Sequence, residues 1–249
     1  MNRINCVILA AGYATRLYPL TEHFPKPLLP VGEKTILDWL LDDLALTGEM
    51  ERCVLVSNHR YARHFETWAA GRPERIAVLD DESETNESRL GAVRDLDLAL
   101  DWLGTDRPAL VMAGDNLLDF SLARFLDYAR KKGSSCAMRY AEPSVERLRR
   151  CGVAVVDGTD RITGMTEKSP NPPSHWVCPP FYWYTPEALS LIKPALEGGC
   201  GADAPGSFLA WTAERLPVYA MEMPGRRYDI GNLQSYEQVK KEYRGICVK

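Results

Sequence analysis

Short apolar runs alternate with amphipathic segments through the first half of the chain, and this alternation constrains the fold more than any other feature. Four runs have the length and continuous hydrophobicity of buried parallel strands: residues 4–9, 53–57, 76–79 and 109–113. Helical patterns lie between them, as in residues 35–48, where leucines recur on one face. The alternation predicts an α/β fold with a doubly wound, mostly parallel, Rossmann-like sheet. Ligand sites are expected at the carboxyl ends of its strands.

The pattern changes after about residue 134. The apolar runs there are aromatic or alternating, as in "FYWY" and "VYAMEM", and fewer helical segments separate them. We therefore expect one domain over residues 1–249, in which residues 1–133 form the first half. Residues 134–249 form an insertion-rich lobe that continues the same sheet and ends in a closing helix.

Composition argues against several classes of protein. The formal net charge is −4 and the pI about 5.7, so no basic field would gather nucleic acid. Seven cysteines without a C-x-x-C pair argue against a disulfide framework or a zinc site and favour a reducing cytosol. No apolar run approaches the roughly 20 residues of a membrane span, and the N-terminus lacks a signal-peptide pattern. We expect a cytoplasmic protein with neither a nucleic-acid nor a membrane partner.

A glycine turn follows the first predicted strand. Gly12 allows a tight turn and the close approach of a ligand to backbone N–H groups. Neither a G-x-x-x-x-G-K-[ST] loop nor a G-x-G-x-x-G fingerprint is present. Arg16 comes four residues later, and Lys26 is held between Pro25 and Pro27, which restrict its backbone. Two cations beside a small-residue turn at a strand end indicate phosphate binding.

The segment "LAAGYATRLYPLTEHFPKPLLPV", residues 9–31, resembles the signature of the sugar-1-phosphate nucleotidyltransferases, also called nucleotide-sugar pyrophosphorylases. The resemblance continues in the family's order through "AGDNL", "GVAVV", "TEKSPNPPS" and "YDIGNLQSYEQV", and it covers essentially the whole chain. We expect no left-handed β-helix extension of the kind that bifunctional members carry. The resemblance implies a GT-A-like fold and transfer of a nucleotidyl group from an NTP to a sugar-1-phosphate. The products would be an NDP-sugar and pyrophosphate. The cofactor would be Mg²⁺.

The resemblance also assigns residues on the nucleotide side, within residues 1–133. The catalytic cations would be Arg16 and Lys26, which grip the triphosphate. The nucleotide-binding residues would be Ala10, Ala11, Gly12 and Gly91. Physical chemistry agrees, because nucleotidyl transfer depends mainly on positioning and on neutralising charge at the phosphates. Arginine supplies a planar fork for this task and lysine a point charge.

Two aspartates are the candidate metal ligands. Asp115 comes just past a predicted strand, where it is either a helix N-cap or a ligand, and Ser121 is the better cap for the next helix. Asp229 would be costly to bury without a cation. By resemblance, both hold magnesium, which prefers hard oxygen ligands. Because two unpaired carboxylates repel in a desolvated cleft, we expect one of their pKa values to be raised.

The acceptor side falls within residues 134–249. Without the resemblance, Glu167 and Lys168 would be an exposed ion pair that contributes little to stability. By resemblance, Glu167 binds sugar hydroxyls, Lys168 binds the acceptor phosphate, and Gly152 lets the sugar approach the backbone. Pro179 and Pro180 depart from the family pattern, because they remove two backbone donors near the acceptor. A cytidylyltransferase acting on phosphocholine or another alcohol or polyol phosphate therefore stays open as an alternative.

A regulatory subunit that binds nucleotide sugars without catalysis is the third alternative. Such a protein should lack Arg16, Lys26, Asp115 or Asp229, and all four are present, which disfavours it.

The base-reading segment, "TNESRLGAVRDL", replaces a more familiar glycine- and proline-rich loop, so the nucleobase stays open. Family analogy alone allows a homo-oligomer.

Overall fold

The computed structural model describes residues 3–247. The strands are β1 Ile4–Leu9, β2 Pro30–Val31, β3 Lys34–Thr35, β4 Met50–Ser57, β5 Ile76–Asp80, β6 Ala109–Ala113, β7 Asn116–Leu118, β8 Ser135–Ala141, β9 Gly152–Val156, β10 Ile162–Glu167, β11 Trp176–Val177, β12 Phe181–Tyr184, β13 Val218–Glu222 and β14 Arg227–Asp229. The α-helices are α1 Ile36–Leu46, α2 Ala62–Ala70, α3 Ala92–Leu103, α4 Ala123–Lys132, α5 Val145–Leu148, α6 Pro186–Leu189, α7 Ile192–Glu197, α8 Pro205–Ala213 and α9 Leu233–Glu242. Within residues 3–247, no helix has both the length and the apolar character needed to cross a membrane.

The described residues divide into two compact units. Unit 1 comprises residues 3–89, 113–124 and 224–247, and unit 2 comprises residues 90–112 and 125–223. A single cut after residue 133 does not reproduce this division, because the C-terminal segment belongs to unit 1. The prediction of one domain over the whole chain stays a prediction.

Unit 1 is built on parallel strands. β4 pairs in parallel with β1 on one side and with β5 on the other. All six residues of β1 are buried, as expected for a strand covered on both faces. Helix α1 begins at a capping box in which Thr35 and Asp38 satisfy each other's backbone N–H groups. The chain after α1 turns at Gly48, whose φ of +66° suits glycine.

A second, smaller pairing in unit 1 joins parts of the chain far apart in sequence. β7 and β14 run antiparallel, with Asn116 opposite Asp229 and Leu118 opposite Arg227. The closing helix α9 packs beside this pair through buried side chains, and the hydroxyl of Tyr243 donates to the carbonyl of Leu118 at 2.8 Å. The pair was not predicted, because strands of three residues carry no readable period.

Unit 2 contains a mixed sheet with the strand order β10-β9-β11-β8-β12-β6. Each of these neighbouring strands pairs antiparallel, while β13 pairs with β8 in parallel. The aromatic strand β12 lies between β8 and β6, and all four of its residues are buried. Aromatic side chains supply large apolar area to such a core, which explains the aromatic pattern of this segment.

A mostly buried guanidinium ties the first turns of α1 to the segment after α2 in unit 1. The side chain of Arg72 is only 11% exposed, and it pairs with Asp38 at 2.9 Å, Asp42 at 2.7 Å and Glu74 at 3.0 Å. Partial burial raises the pKa of Asp42, but its hydrogen bonds and charge interactions with Lys34 and Arg72 outweigh burial and lower it. The cluster therefore contributes stability only while its acids are ionised.

We expect Arg72→Met to lower the free energy of unfolding by about 3–5 kcal/mol at pH 7, because poorly exposed carboxylates lose their cation. Since the folded-state pKa of Asp42 is depressed, its contribution is present above the unfolded value of about 3.9 and is lost as the pH falls through the folded value. Urea unfolding at pH 7 and pH 3 should show this difference shrinking in acid. Arg3→Met, which removes an exposed pair with Glu51, is the control and should cost at most about 1 kcal/mol. Equal losses in the two variants at pH 7 would contradict the argument from burial.

Candidate active site

The glycine turn of unit 1 leaves the end of β1 and is open on one side. Ala10 and Ala11 are buried, whereas Gly12 is exposed and a Cβ there would meet nothing within 4 Å. The left-handed residue of the turn is Ala14, with φ of 47°, and not Gly12. What Gly12 contributes is therefore free space beside the backbone, which suits the close approach of a ligand.

Buried polar side chains hold this turn in place. The amide of Asn58, directly after β4, donates to the carbonyl of Ala11 at 2.9 Å. The hydroxyl of Tyr13 donates to the carbonyl of Ser83 at 2.8 Å, and both side chains are buried. Sequence reasoning missed Asn58, although its place after a parallel strand was a usable signal.

The two predicted cations occupy different environments in unit 1. Arg16 lies in the 3-10 turn Thr15–Leu17, is exposed, and has no side-chain hydrogen-bond or ion-pair partner among residues 3–247. Lys26 begins a second 3-10 turn, Lys26–Leu28, and is only 6% exposed. Its ammonium donates to Asp115 Oδ2 at 2.8 Å. The structure thus brings together two predicted site residues that are 89 positions apart.

The two predicted metal ligands lie on the paired strands β7 and β14 or directly beside them. Asp229 is opposite Asn116, which follows Asp115. The amide of Asn116 donates to Asp115 Oδ1 at 2.9 Å and accepts a hydrogen bond from Arg227. Arg227 also lies 3.7 Å from the carboxylate of Asp229. Arg227 and Asn116 were missed from the sequence, since only the strand pairing reveals their role.

The expectation of a raised aspartate pKa at this site is wrong for Asp115. Partial burial acts to raise its pKa, but the ion pair with Lys26 and the charge of Arg227 outweigh burial and lower it. The side chain of Asp229 is 62% exposed, so it does not carry the burial cost anticipated for it. Asp115 is paired with Lys26 and also feels the positive charge of Arg227, and these two cations oppose the repulsion on which the expectation depended.

These carboxylates fit a divalent cation that needs few protein ligands. Their side chains are 42% and 62% exposed, and both offer hard oxygen atoms. Across the described part of the chain, no group of three or more His, Cys, Asp or Glu side chains could form a protein-only cage. Two carboxylates with room for water and phosphate oxygens are what Mg²⁺ prefers, whereas zinc prefers three or four side-chain ligands.

Unit 2 contains the predicted acceptor residues. Glu167 is partly buried at the end of β10, and no described residue donates a hydrogen bond to it. Burial raises its pKa to about 7; nearby Lys168 opposes this effect and Asp203 adds to it. Lys168 turns away from Glu167, with its ammonium 2.8 Å from Asp203 Oδ2, so the two neighbours are not paired with each other. Gly152 is buried, and a Cβ there would lie 2.7 Å from Glu167 Oε2.

The backbone at Gly91, also in unit 2, has a structural reason to be glycine. Its φ is +95°, and a Cβ would lie 2.5 Å from the carbonyl oxygen of Ala202. The next N–H groups, of Ala92 and Val93, donate to the carbonyls of Asp203 and Ala202. These donors are therefore occupied within the unit, and the nucleotide role of Gly91 stays a prediction.

Comparison with known proteins identifies the class. Residues 5–245 match the model of the nucleotidyl transferase family, and the chain belongs to that family. It is 27% identical over 243 residues to the UTP–glucose-1-phosphate uridylyltransferase of Haloferax volcanii, covering 96% of each chain. It is 26% identical over 255 residues to the glucose-1-phosphate adenylyltransferase of Fervidobacterium nodosum, covering 97% of this chain and 61% of that protein.

A solved structure supports the fold. UDP-glucose pyrophosphorylase in complex with UDP-glucose superposes with a TM-score of 0.81 and 20% identity, covering 98% of both chains. The predicted Rossmann-like α/β class is confirmed, and so is the resemblance to the sugar-1-phosphate nucleotidyltransferases. The protein is an enzyme of the nucleotidyltransferase type.

Proposed function

We propose that this enzyme transfers a nucleotidyl group from an NTP to a sugar-1-phosphate in the cytoplasm, using Mg²⁺, and releases an NDP-sugar and pyrophosphate. The observation that carries the proposal is the pairing of Lys26 with Asp115 at 2.8 Å in unit 1, which also contains the glycine turn. A nearly buried ammonium beside a carboxylate with exposed surface suits a site for a metal–triphosphate.

Unit 1 would bind the NTP. The open space at Gly12 admits the nucleotide, and the exposed guanidinium of Arg16 is available to phosphate oxygens. Lys26 is held by its own 3-10 turn and by Asp115, so its charge is preorganised. Fixed cations of this kind stabilise charge that develops on the transferring and leaving phosphates.

Asp115 and Asp229 would hold the magnesium ion. When bound, the ion would neutralise phosphate charge and help to orient the triphosphate. The chain's own contribution is the hydrogen-bonded row from Arg227 through Asn116 to Asp115, which fixes one carboxylate and places a positive charge beside the other. Such outer partners orient the ligands of a metal site.

Unit 2 would bind the acceptor through Glu167, Lys168 and Gly152. The unpartnered carboxylate of Glu167 can accept hydrogen bonds from hydroxyl groups, and Lys168 supplies a cation for the acceptor phosphate. That phosphate is already an anionic nucleophile, so no general base is required. The relatives named for glucose-1-phosphate support a sugar-1-phosphate over an alcohol phosphate.

We expect Arg227→Gln to raise the magnesium concentration needed for half-maximal rate by about 10–100-fold, the usual cost of removing an outer partner of a metal site. Arg226→Gln is the matched control, because Arg226 is 62% exposed and pairs with Glu242 at 3.5 Å. Initial rates across a magnesium titration would show the difference. An equal shift in both variants, or none in Arg227→Gln, would contradict the role given to Arg227.

The proposal is tested by a substrate panel. UTP, ATP, GTP, CTP and dTTP are each combined with glucose-1-phosphate, other sugar-1-phosphates and phosphocholine, and pyrophosphate release is measured with magnesium present. The proposal requires release that depends on both an NTP and a sugar-1-phosphate. Release with CTP and phosphocholine alone would instead establish the alcohol-phosphate alternative.

A further inference from the structure

The segment from Ala202 to Gly206, at the start of α8, touches three of the four predicted ligand-binding residues of unit 2. Ala202 lies against Gly91, Asp203 pairs with Lys168, and Gly206 lies against Glu167. We propose that Asp203 and Gly206 are positioning residues of the acceptor site, which set where Lys168 and Glu167 present their charges. This inference rests on the proposed function, because it assumes that those two side chains bind the acceptor.

Asp203 links Lys168 to the start of α3. Its carboxylate accepts from the ammonium of Lys168 at 2.8 Å, and its carbonyl accepts from the N–H of Ala92 at 3.3 Å. The backbone of Lys168 is itself fixed in the left-handed region, with φ of 49°, and its N–H donates to Cys151 at 3.0 Å. An ion pair with side chains about half exposed adds little stability. Its consequence is geometric, since it restricts a long, flexible lysine to one direction.

Gly206 makes room for the carboxylate of Glu167. A Cβ at Gly206 would lie 2.0 Å from Glu167 Oε2 and 3.2 Å from its carboxyl carbon. The opposing atom is the end of a flexible side chain, so an added methyl group would displace the carboxylate and leave the backbone in place. Helix α8 would tolerate alanine here, because alanine has a higher helix propensity than glycine.

A second glycine makes room for the same carboxylate. A Cβ at Gly152 on β9 would lie 2.7 Å from the same oxygen of Glu167. The carboxylate therefore lies close to the backbones of both β9 and α8, with no described residue donating a hydrogen bond to it. A confined acceptor group without a partner is suited to donors that arrive with a ligand.

The first test uses kinetics. We expect Gly206→Ala to raise the KM for the acceptor by on the order of 10–100-fold, because binding groups misplaced by about 1 Å lose this much. The KM for the NTP and the melting temperature should stay near wild type. Gly164→Ala on β10 is the matched control, since a Cβ there would meet nothing within 4 Å. UTP and glucose-1-phosphate are the substrates used first. If the enzyme does not turn them over, the assay uses the substrate pair that the panel identifies.

Asp203 is tested in the same assay. Asp203→Asn should raise the acceptor KM while leaving the NTP KM unchanged, and Asp203→Glu, which restores the charge, should recover part of the loss. A fall in the acceptor KM of Asp203→Asn would show that Asp203 only competes for Lys168, and this would overturn its positioning role. For Asp203 or Gly206 alike, equal changes in the acceptor KM and the NTP KM would also overturn the positioning role.

A second measurement needs no turnover. Carbon-13 NMR of labelled glutamate carboxyls, with Glu167→Gln used for assignment, should show Glu167 titrating near pH 7 in the wild type. In Gly206→Ala the displaced carboxylate should titrate near the ordinary value of about 4.3. An unchanged titration would overturn the role of Gly206. If no substrate pair in the panel is turned over, the proposed function fails, and this titration still decides whether Gly206 positions Glu167.

Discussion

Replacing Lys26 with alanine is expected to lower kcat by about 10²–10³-fold, the usual loss when one preorganised electrostatic contact is removed from a polar active site. The ammonium is nearly buried, is fixed by its 3-10 turn, and lies 2.8 Å from Asp115. No exposed lysine can replace a charge held in that position. Rates of pyrophosphate release at saturating substrates measure the loss, and a thermal melt shows whether the variant is folded.

Lys34→Ala is the matched control for Lys26→Ala. Lys34 makes an ion pair of similar length, 2.6 Å to Asp42. This pair belongs to the cluster of carboxylates around Arg72 and not to the glycine turn. It should change stability modestly and leave kcat near wild type. If Lys26→Ala kept wild-type turnover and an unchanged melting curve, the assignment of Lys26 to the triphosphate would be wrong.

Asp115→Asn and Asp229→Asn should each abolish activity and also remove a binding signal that needs no turnover. A ligand that binds only the folded state raises its stability, so an NTP with magnesium should raise the melting temperature of the wild type. We expect the rise to exceed the effects of magnesium and the NTP alone, because a bound ion would take oxygen ligands from both the carboxylates and the phosphates. Either substitution removes one charged oxygen ligand and should abolish this synergy.

The control for the two aspartates is Asp106→Asn. The side chain of Asp106 is 77% exposed and its nearest described ion-pair partner, Arg107, is 4.0 Å away. Activity and synergy should both survive this substitution. Synergy retained in Asp115→Asn or in Asp229→Asn would mean that the metal is bound elsewhere.

The parts of the fold that could be predicted were those with a strong local period. β1, β6 and β12 begin and end at the predicted residues, because each is a short, continuous apolar or aromatic run. α1 and α9 also lie where their patterns predicted. The short strands β7 and β14 escaped prediction, since their pairing depends on contacts between distant segments and not on local sequence.

The candidate site likewise has parts that local sequence predicts and parts that only the fold determines. Arg16, Lys26 and Asp115 were predicted from motifs, but the charge balance around Asp115 was not. The pKa of Asp115 depends on Lys26 and Arg227, which lie far from it in sequence and meet it only in the fold. Gly206 shows the same limit, because a helix residue gives no local sign that its missing side chain makes room for Glu167.

The most direct test of the central claim follows the oxygen atoms of the acceptor phosphate. A sugar-1-phosphate whose phosphate oxygens carry ¹⁸O is mixed with the enzyme, magnesium and the NTP chosen by the panel, and the products are weighed by mass spectrometry. If the acceptor phosphate attacks the α-phosphorus, the NDP-sugar retains every labelled oxygen and the pyrophosphate carries none. Label in the pyrophosphate, or an NMP formed with no NDP-sugar, would contradict nucleotidyl transfer to a sugar phosphate.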